Sequence, residues 1–188
     1  MNNGIRGWLI VVFAVALMAG CGKGEDPGHA IELRDALRVR TDAARGRLWV
    51  LGLDDVRVYD SAKRLVRQVA LPSSSVARFI CEPDMVLDRS GSAIISSNVQ
   101  ARLWRIDTDS FEVKEYVINL QGRERYDVGF GALGFAADGT LFAVTSTAGS
   151  LWRIDLDQRS ARIVASETTY LNVCELTAPL MSKLERSP

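Results

Sequence analysis

Apolar and polar residues alternate with period two along most of the chain, which predicts strands with one buried and one solvated face. Residues 46–51 and 56–59 alternate on either side of Asp54 and Asp55, so they read as a hairpin with an aspartate turn. A third strand, 65–71, follows Ser61, Ala62, Lys63 and Arg64. A second unit opens with 85–87, turns at Asp88, Arg89, Ser90 and Gly91, and continues through 93–95, 102–106 and 111–118. The third unit repeats this plan with 133–135, a turn at Ala137, Asp138 and Gly139, then 141–145, 150–154 and 162–164. Helix is scarce. Residues 30–40 have room for one short turn, but Leu37 and Val39 alternate as in a strand, and the polar tail 178–188 is expected to fray.

A repeat underlies the units. Leu103, Trp104, Arg105, Ile106 and Asp107 return as Leu151, Trp152, Arg153, Ile154 and Asp155, 48 positions later. At the same offset Gly91 matches Gly139, Ile94 matches Phe142 and Asp109 matches Asp157. A period of about 40 to 50 residues with about four strands per unit is the mark of propeller blades. The expected fold is therefore all-β and β-propeller-like, with three clear blades. A fourth blade is available if the C-terminal segment 169–176 pairs with an N-terminal strand at 33–40, closing the ring through the two chain ends. Otherwise the array is open and must form a homo-oligomer, or the chain is a truncated member of a longer family, because propellers typically carry about four to eight blades. An open edge strand would then be an association site.

The recurring residues have structural readings. Trp49, Trp104 and Trp152 each follow a leucine, and packing between adjacent blades explains them better than an aromatic binding surface does. Arg105 and Arg153 should face the opposite side of their strands, near Asp107 and Asp155, as solvated ion pairs of little energetic weight. Asp107 with Asp109, and Asp155 with Asp157, could open a calcium loop, but the central glycine and late glutamate of an EF-hand are missing. Turn capping is the expected role of Asp107 and Asp155.

The N-terminus carries an address. Arg6 is the only charge before an unbroken apolar run at 8–19. A bilayer-spanning helix needs about 20 apolar residues, so the run fits a signal peptide. It ends in Met18, Ala19, Gly20 and Cys21, which resembles the lipobox of bacterial lipoproteins, although the first lipobox position is more often leucine. That resemblance implies cleavage after residue 20 and lipidation of Cys21. It also implies an outer-membrane destination, since Gly22 stands where aspartate would signal inner-membrane retention. An ordinary signal peptide with an unrelated cysteine is the rival reading. The Gly-, Pro- and charge-rich stretch after Cys21 suits a flexible tether. The chain thus divides into a signal peptide at 1–20, a tether at 21–32, a repeat domain at 33–177 and the tail at 178–188.

Charge and chemistry narrow the function classes. Without Arg6 the chain has 22 lysines and arginines against 23 acidic residues. That balance argues against nucleic acid as a partner. The single histidine, His29, lies in the tether, which removes histidine-based triads and histidine zinc sites from the repeat domain. Asp35, Glu82, Asp127 and Glu175 are spaced by 47, 45 and 48 positions. In one register they would ring the channel mouth and hold calcium; solvated carboxylates are the plainer reading. Cys81 and Cys174 lie 93 positions apart. An oxidising compartment favours a disulfide, yet equivalent places in non-adjacent blades exceed the roughly 7 Å that a bridge spans, which leaves two buried thiols as the rival.

The stretch 138–144 followed by 151–155 resembles blades of the broad YVTN/NHL/SMP-30-like propeller superfamily, over roughly residues 37–164. That resemblance implies a fold more than a function, because propellers host enzymes, sensors and scaffolds. The expected function is a lipid-anchored, non-catalytic binding or scaffold module in the periplasm with a protein partner and no cofactor. A lactonase-like metal-dependent hydrolase using the channel carboxylates is the alternative.

Overall fold

The computed structural model describes residues 31, 33–77, 81–121, 129–165, 174 and 176. These residues form thirteen strands and no helix. The first sheet holds β1 (Arg38–Asp42), β2 (Arg47–Leu51), β3 (Asp55–Tyr59) and β4 (Leu65–Ala70) in sequential antiparallel order. The second holds β5 (Met85–Leu87), β6 (Ala93–Ser96), β7 (Arg102–Ile106) and β8 (Val113–Val117) in the same order. The third holds β10 (Phe130–Phe135), β11 (Leu141–Thr145), β12 (Leu151–Asp155) and β13 (Ser160–Ala165). A short strand, β9 (Asn119–Gln121), pairs with β13 in parallel and gives this sheet a fifth member. The three sheets are the three blades expected from the repeat.

Turn chemistry fixes where each blade starts. Gly46, Gly91 and Gly139 close the turn between first and second strands with φ of 60°, 83° and 91°, a region a side chain resists. They share one structural position, and that alignment corrects the reading of the tryptophans. Trp104 and Trp152 lie on the third strands of their blades, whereas Trp49 lies on a second strand, β2. The Leu-Trp match at Trp49 is therefore out of register with the repeat: Trp49 occupies the place of Ile94 and faces the next blade, while Trp104 and Trp152 face the preceding one.

The N-terminal strand also departs from expectation. It starts at Arg38, pairs with β2 from Arg38↔Leu51 to Asp42↔Arg47, and supplies the first strand of the first blade. It is thus used within blade one, and the proposed partner segment at 169–173 lies outside the described residues. The reason is local: the turn capped by Asp42 Oδ1 on the Arg45 N–H folds this strand directly back on β2.

The core sits between blades. At the first contact Trp49, Leu51, Val56, Val58 and Val69 meet Met85, Ala93, Ile95, Trp104 and Ile106. At the second, Ile94, Leu103 and Tyr116 meet Leu133, Leu141, Ala143, Trp152 and Ile154. All three tryptophans are buried, and each such ring removes on the order of 150 to 250 Å² from water. Trp49 reaches Phe111 of the second blade at 6.1 Å between centroids, and the Trp104 Nε1–H donates to the Pro72 carbonyl at 3.1 Å. The outer side of blade three has its own small cluster, in which Leu176 packs beside Ala132, Val144 and Leu151.

Candidate functional site

Where the first strands of the blades converge, Asp84 joins all three sheets. Its Oδ1 accepts from the Met85 N–H at 2.8 Å and from Arg40 of β1 at 2.8 Å, and Arg38 Nε stands 3.4 Å away. Its Oδ2 accepts from the Leu133 N–H of β10 at 2.9 Å, and its own N–H donates to Ser96 Oγ at 2.8 Å. Only 1% of the side chain is exposed. Burial raises the Asp84 carboxyl above the usual carboxylate range, against the opposing pull of the Leu133 N–H, Arg40, the Met85 N–H and Arg38. Every oxygen is spent on the fold, so Asp84 is a hub rather than a ligand group. The repeat gave no hint of it, because the position 48 residues later is Ala132.

The proposed calcium ring is only partly visible. Asp35 is exposed in the turn before β1, and Glu82 pairs with Arg38 at 3.2 Å. Asp127 and Glu175 lie outside the described residues. Among the described residues no three metal-ligating side chains cluster. Cys21 and the signal segment are likewise outside the described residues.

Cys81 and Cys174 form a disulfide, with Cα atoms 5.2 Å apart. The two cysteines do not occupy equivalent places in separate blades. Cys81 instead precedes β5, and Cys174 lies after β13 in the sequence. Gly131 permits the approach, because a Cβ there would lie 2.4 Å from Cys81 Cβ. Asn98, fully buried, holds the same corner by donating to the carbonyls of Ala77 and Cys81 at 2.6 and 3.0 Å.

The turn aspartates bond to backbone. Asp107 Oδ1 accepts from the N–H groups of Asp109 and Ser110 at 2.9 Å each, and Asp155 Oδ1 from that of Gln158 at 2.9 Å. The Ser110 and Asp109 N–H groups hold the Asp107 carboxyl below its ordinary value. Arg105 does not form the expected ion pair with Asp107; it reaches across the sheet to Asp88 at 3.1 Å and to Ser92 at 3.1 Å. The reason is register: Arg105 lies opposite Ile94, and its side chain leans toward the turn that Asp88 caps.

That ion pair rims a cleft of about 360 Å³ between the second and third blades. Leu87, Ile94, Phe135 and Leu156 form its apolar walls, with Asp88, Arg89, Ser90 and Arg105 at the rim. Arg89 donates to the Ala137 carbonyl across the gap. Ligand sites combine apolar walls with a few placed polar groups in about 300 to 1,000 Å³, and this cleft falls at the small end of that range. A second, polar groove of about 310 Å³ lies on the third blade, lined by Gln121, Arg153, Asp155, Ser160 and Arg162.

No family model and no curated protein sequence matches the chain. Among solved structures, a catalytically inactive virginiamycin B lyase from Staphylococcus aureus with quinupristin is similar, with a TM-score of 0.52 and 15% identity over 71% of this chain and 43% of that one. A selenomethionine-substituted form of the lyase gives 0.49 at 15% identity, over 70% and 40%. An auxiliary nutrient binding protein from Bacteroides thetaiotaomicron gives 0.47 at 15% identity, over 70% and 30%. At such identity the likeness concerns the fold alone: the chain is an all-β, β-propeller-like domain that spans less than half the length of these proteins.

Proposed function

We propose that the chain is a non-catalytic binding module, held in the bacterial cell envelope by lipid on Cys21, that takes an apolar side chain of a partner protein into the cleft between blades two and three. The cleft carries this reading. Its walls are apolar, while at its rim Asp88 and Arg105 pair with each other and Arg89 donates to the Ala137 carbonyl, so an apolar group enters without breaking an ion pair. Asp84, the most buried carboxylate among the described residues, is consumed by the fold and is not offered to a substrate.

The anchor rests on the apolar run 8–19 and the residues leading to Cys21. Each buried acyl methylene contributes about 0.8 kcal/mol, so two or more chains hold a protein firmly at a membrane. Cys21→Ala is expected to move the protein from the membrane to the soluble fraction. For the cleft, a photo-crosslinking amino acid placed at Arg89 in living cells should capture a discrete protein adduct, which Leu156→Arg abolishes. The same probe at exposed Gln68 on β4 should capture none. Equal adducts from both positions, or adducts at Arg89 that survive Leu156→Arg, would overturn the reading.

A further inference from the structure

We propose that the polar groove on the third blade is a second binding site, specific for a small hydroxylated molecule bearing an oxyanion, either a carboxylate or a phosphate. Arg153 of β12 lies directly opposite Arg162 of β13, which in turn lies opposite Gln121 of β9. Two guanidinium groups and an amide therefore stand in one row across three strands. Ser160 and Asp155 form the adjoining row. All five residues line the groove.

Like charges directly opposite on neighbouring strands repel, and a bound anion relieves that repulsion between these two exposed arginines. Several arginines of the blades have an ion-pair partner, while Arg47 and Arg89 donate to backbone carbonyls instead. Arg102 meets Glu115 at 2.8 Å, Arg40 meets Asp84 at 2.8 Å, Arg64 meets Asp60 at 2.7 Å and Arg105 meets Asp88 at 3.1 Å. Arg153 and Arg162 have no ion-pair partner among the described residues.

The repeat identifies what is missing. Arg153 is the counterpart of Arg105, 48 positions on, and the counterpart of Asp88 is Ala136. The turn itself is unchanged. The Asp88 N–H donates to the Ser92 carbonyl at 2.9 Å, as the Ala136 N–H does to Thr140 at 2.9 Å. The Gly91 N–H donates to the Asp88 carbonyl at 2.9 Å, as the Gly139 N–H does to Ala136 at 2.9 Å. The frame is kept, and the carboxylate that would quench the arginine is replaced by a methyl group. Asp138, the counterpart of Ser90, feels the charge of Arg153 but forms no ion pair with it at contact distance; its Oδ1 accepts from the Thr140 N–H.

Guanidinium forks match the paired oxygens of carboxylate and phosphate, and charge-assisted bonds of this kind are among the stronger ones. Gln121 and Ser160 add neutral donors. Asp155, on the groove wall, is an acceptor that repels a bare anion but takes hydroxyl groups beside one. The set fits a sugar acid or a sugar phosphate.

The test is binding of glucuronate and of glucose 6-phosphate to the full chain at constant ionic strength, with glucose as the neutral control. Saturable binding of at least one anion is expected, with glucose silent; the preferred anion tells carboxylate from phosphate. Arg153→Gln and Arg162→Gln should each weaken binding roughly tenfold, the loss of a charge-assisted hydrogen bond. Ala136→Asp retains both arginines and supplies the missing carboxylate, so it should weaken binding by a similar factor while circular dichroism is unchanged. Binding of neither anion, equal binding of glucose, or full binding by Ala136→Asp would overturn the proposal.

Discussion

Arg105 and Arg153 occupy the same place in successive repeats, yet one meets a carboxylate 3.1 Å away and the other faces a polar groove. Around Arg105 the second blade is closed by the third, whose Phe135 and Leu156 complete an apolar cleft. Around Arg153 the groove is bordered instead by β9, whose Gln121 adds a polar neighbour. Backbone and core follow the repeat; the charge pattern does not. Between these two arginines the shared backbone holds the blade, and the departure is the loss of one carboxylate.

Asp84 lies outside the comparison, since it binds all three blades at once, and it should give one of the largest effects. Asp84→Asn leaves Arg38 and Arg40 beside a neutral amide and should cost about 3 to 5 kcal/mol in denaturant unfolding at neutral pH. Its pH signature is distinctive. The folded-state pKa of Asp84 is raised, so its contribution to stability falls as pH rises through the carboxylate range toward that raised value. Asp60, Asp107 and Asp138 are lowered, so theirs is lost as pH falls. Asp84→Asn should therefore steepen the acid-side loss of stability relative to the parent chain.

The tryptophans test whether the two blade contacts are equivalent. Trp104→Ala and Trp152→Ala should each cost about 3 to 5 kcal/mol. The phenylalanine variants should separate them. Trp104 loses its bond to the Pro72 carbonyl, worth about 1 kcal/mol, while Trp152 Nε1 has no hydrogen-bond partner to lose. Equal costs for the two phenylalanine variants would contradict the packing described.

Cys174→Ser opens a loop closed across 93 positions and should cost about 2 to 5 kcal/mol. Adding reductant to the parent chain should reproduce the loss, and adding it to the variant should change nothing further. The turn glycines give the smallest effects. Gly139→Ala should cost about 1 kcal/mol for its positive φ. Gly91→Ala should cost more, because its Cβ would meet Arg45 at 2.4 Å and Asp42 at 2.9 Å, whereas the nearest atom at Gly139 is 4.0 Å away.

Much of the fold was legible in the sequence because period-two alternation and turn residues are local signals. Leu141–Thr145 and Arg102–Ile106 fall where the alternation put them. Trp49 misled because a shared dipeptide outweighed the glycine register, and only the strand order reveals that Gly46, Gly91 and Gly139 are the true equivalents. The sites were harder to read. Asp84 has no counterpart in the repeat, and the Arg153 groove depends on β9, a three-residue strand joined in parallel, which alternation within one segment cannot announce.

The contrast between Arg105 and Arg153 can be measured directly by following backbone amide resonances of the full chain during titration with glucuronate or glucose 6-phosphate. The account predicts saturable shifts at Gln121, Arg153, Ser160 and Arg162, none at Ser90, Ser92 and Arg105, and a far weaker response from Ala136→Asp. Equal shifts around both arginines, or no saturable shift around Arg153 with either anion, would contradict it.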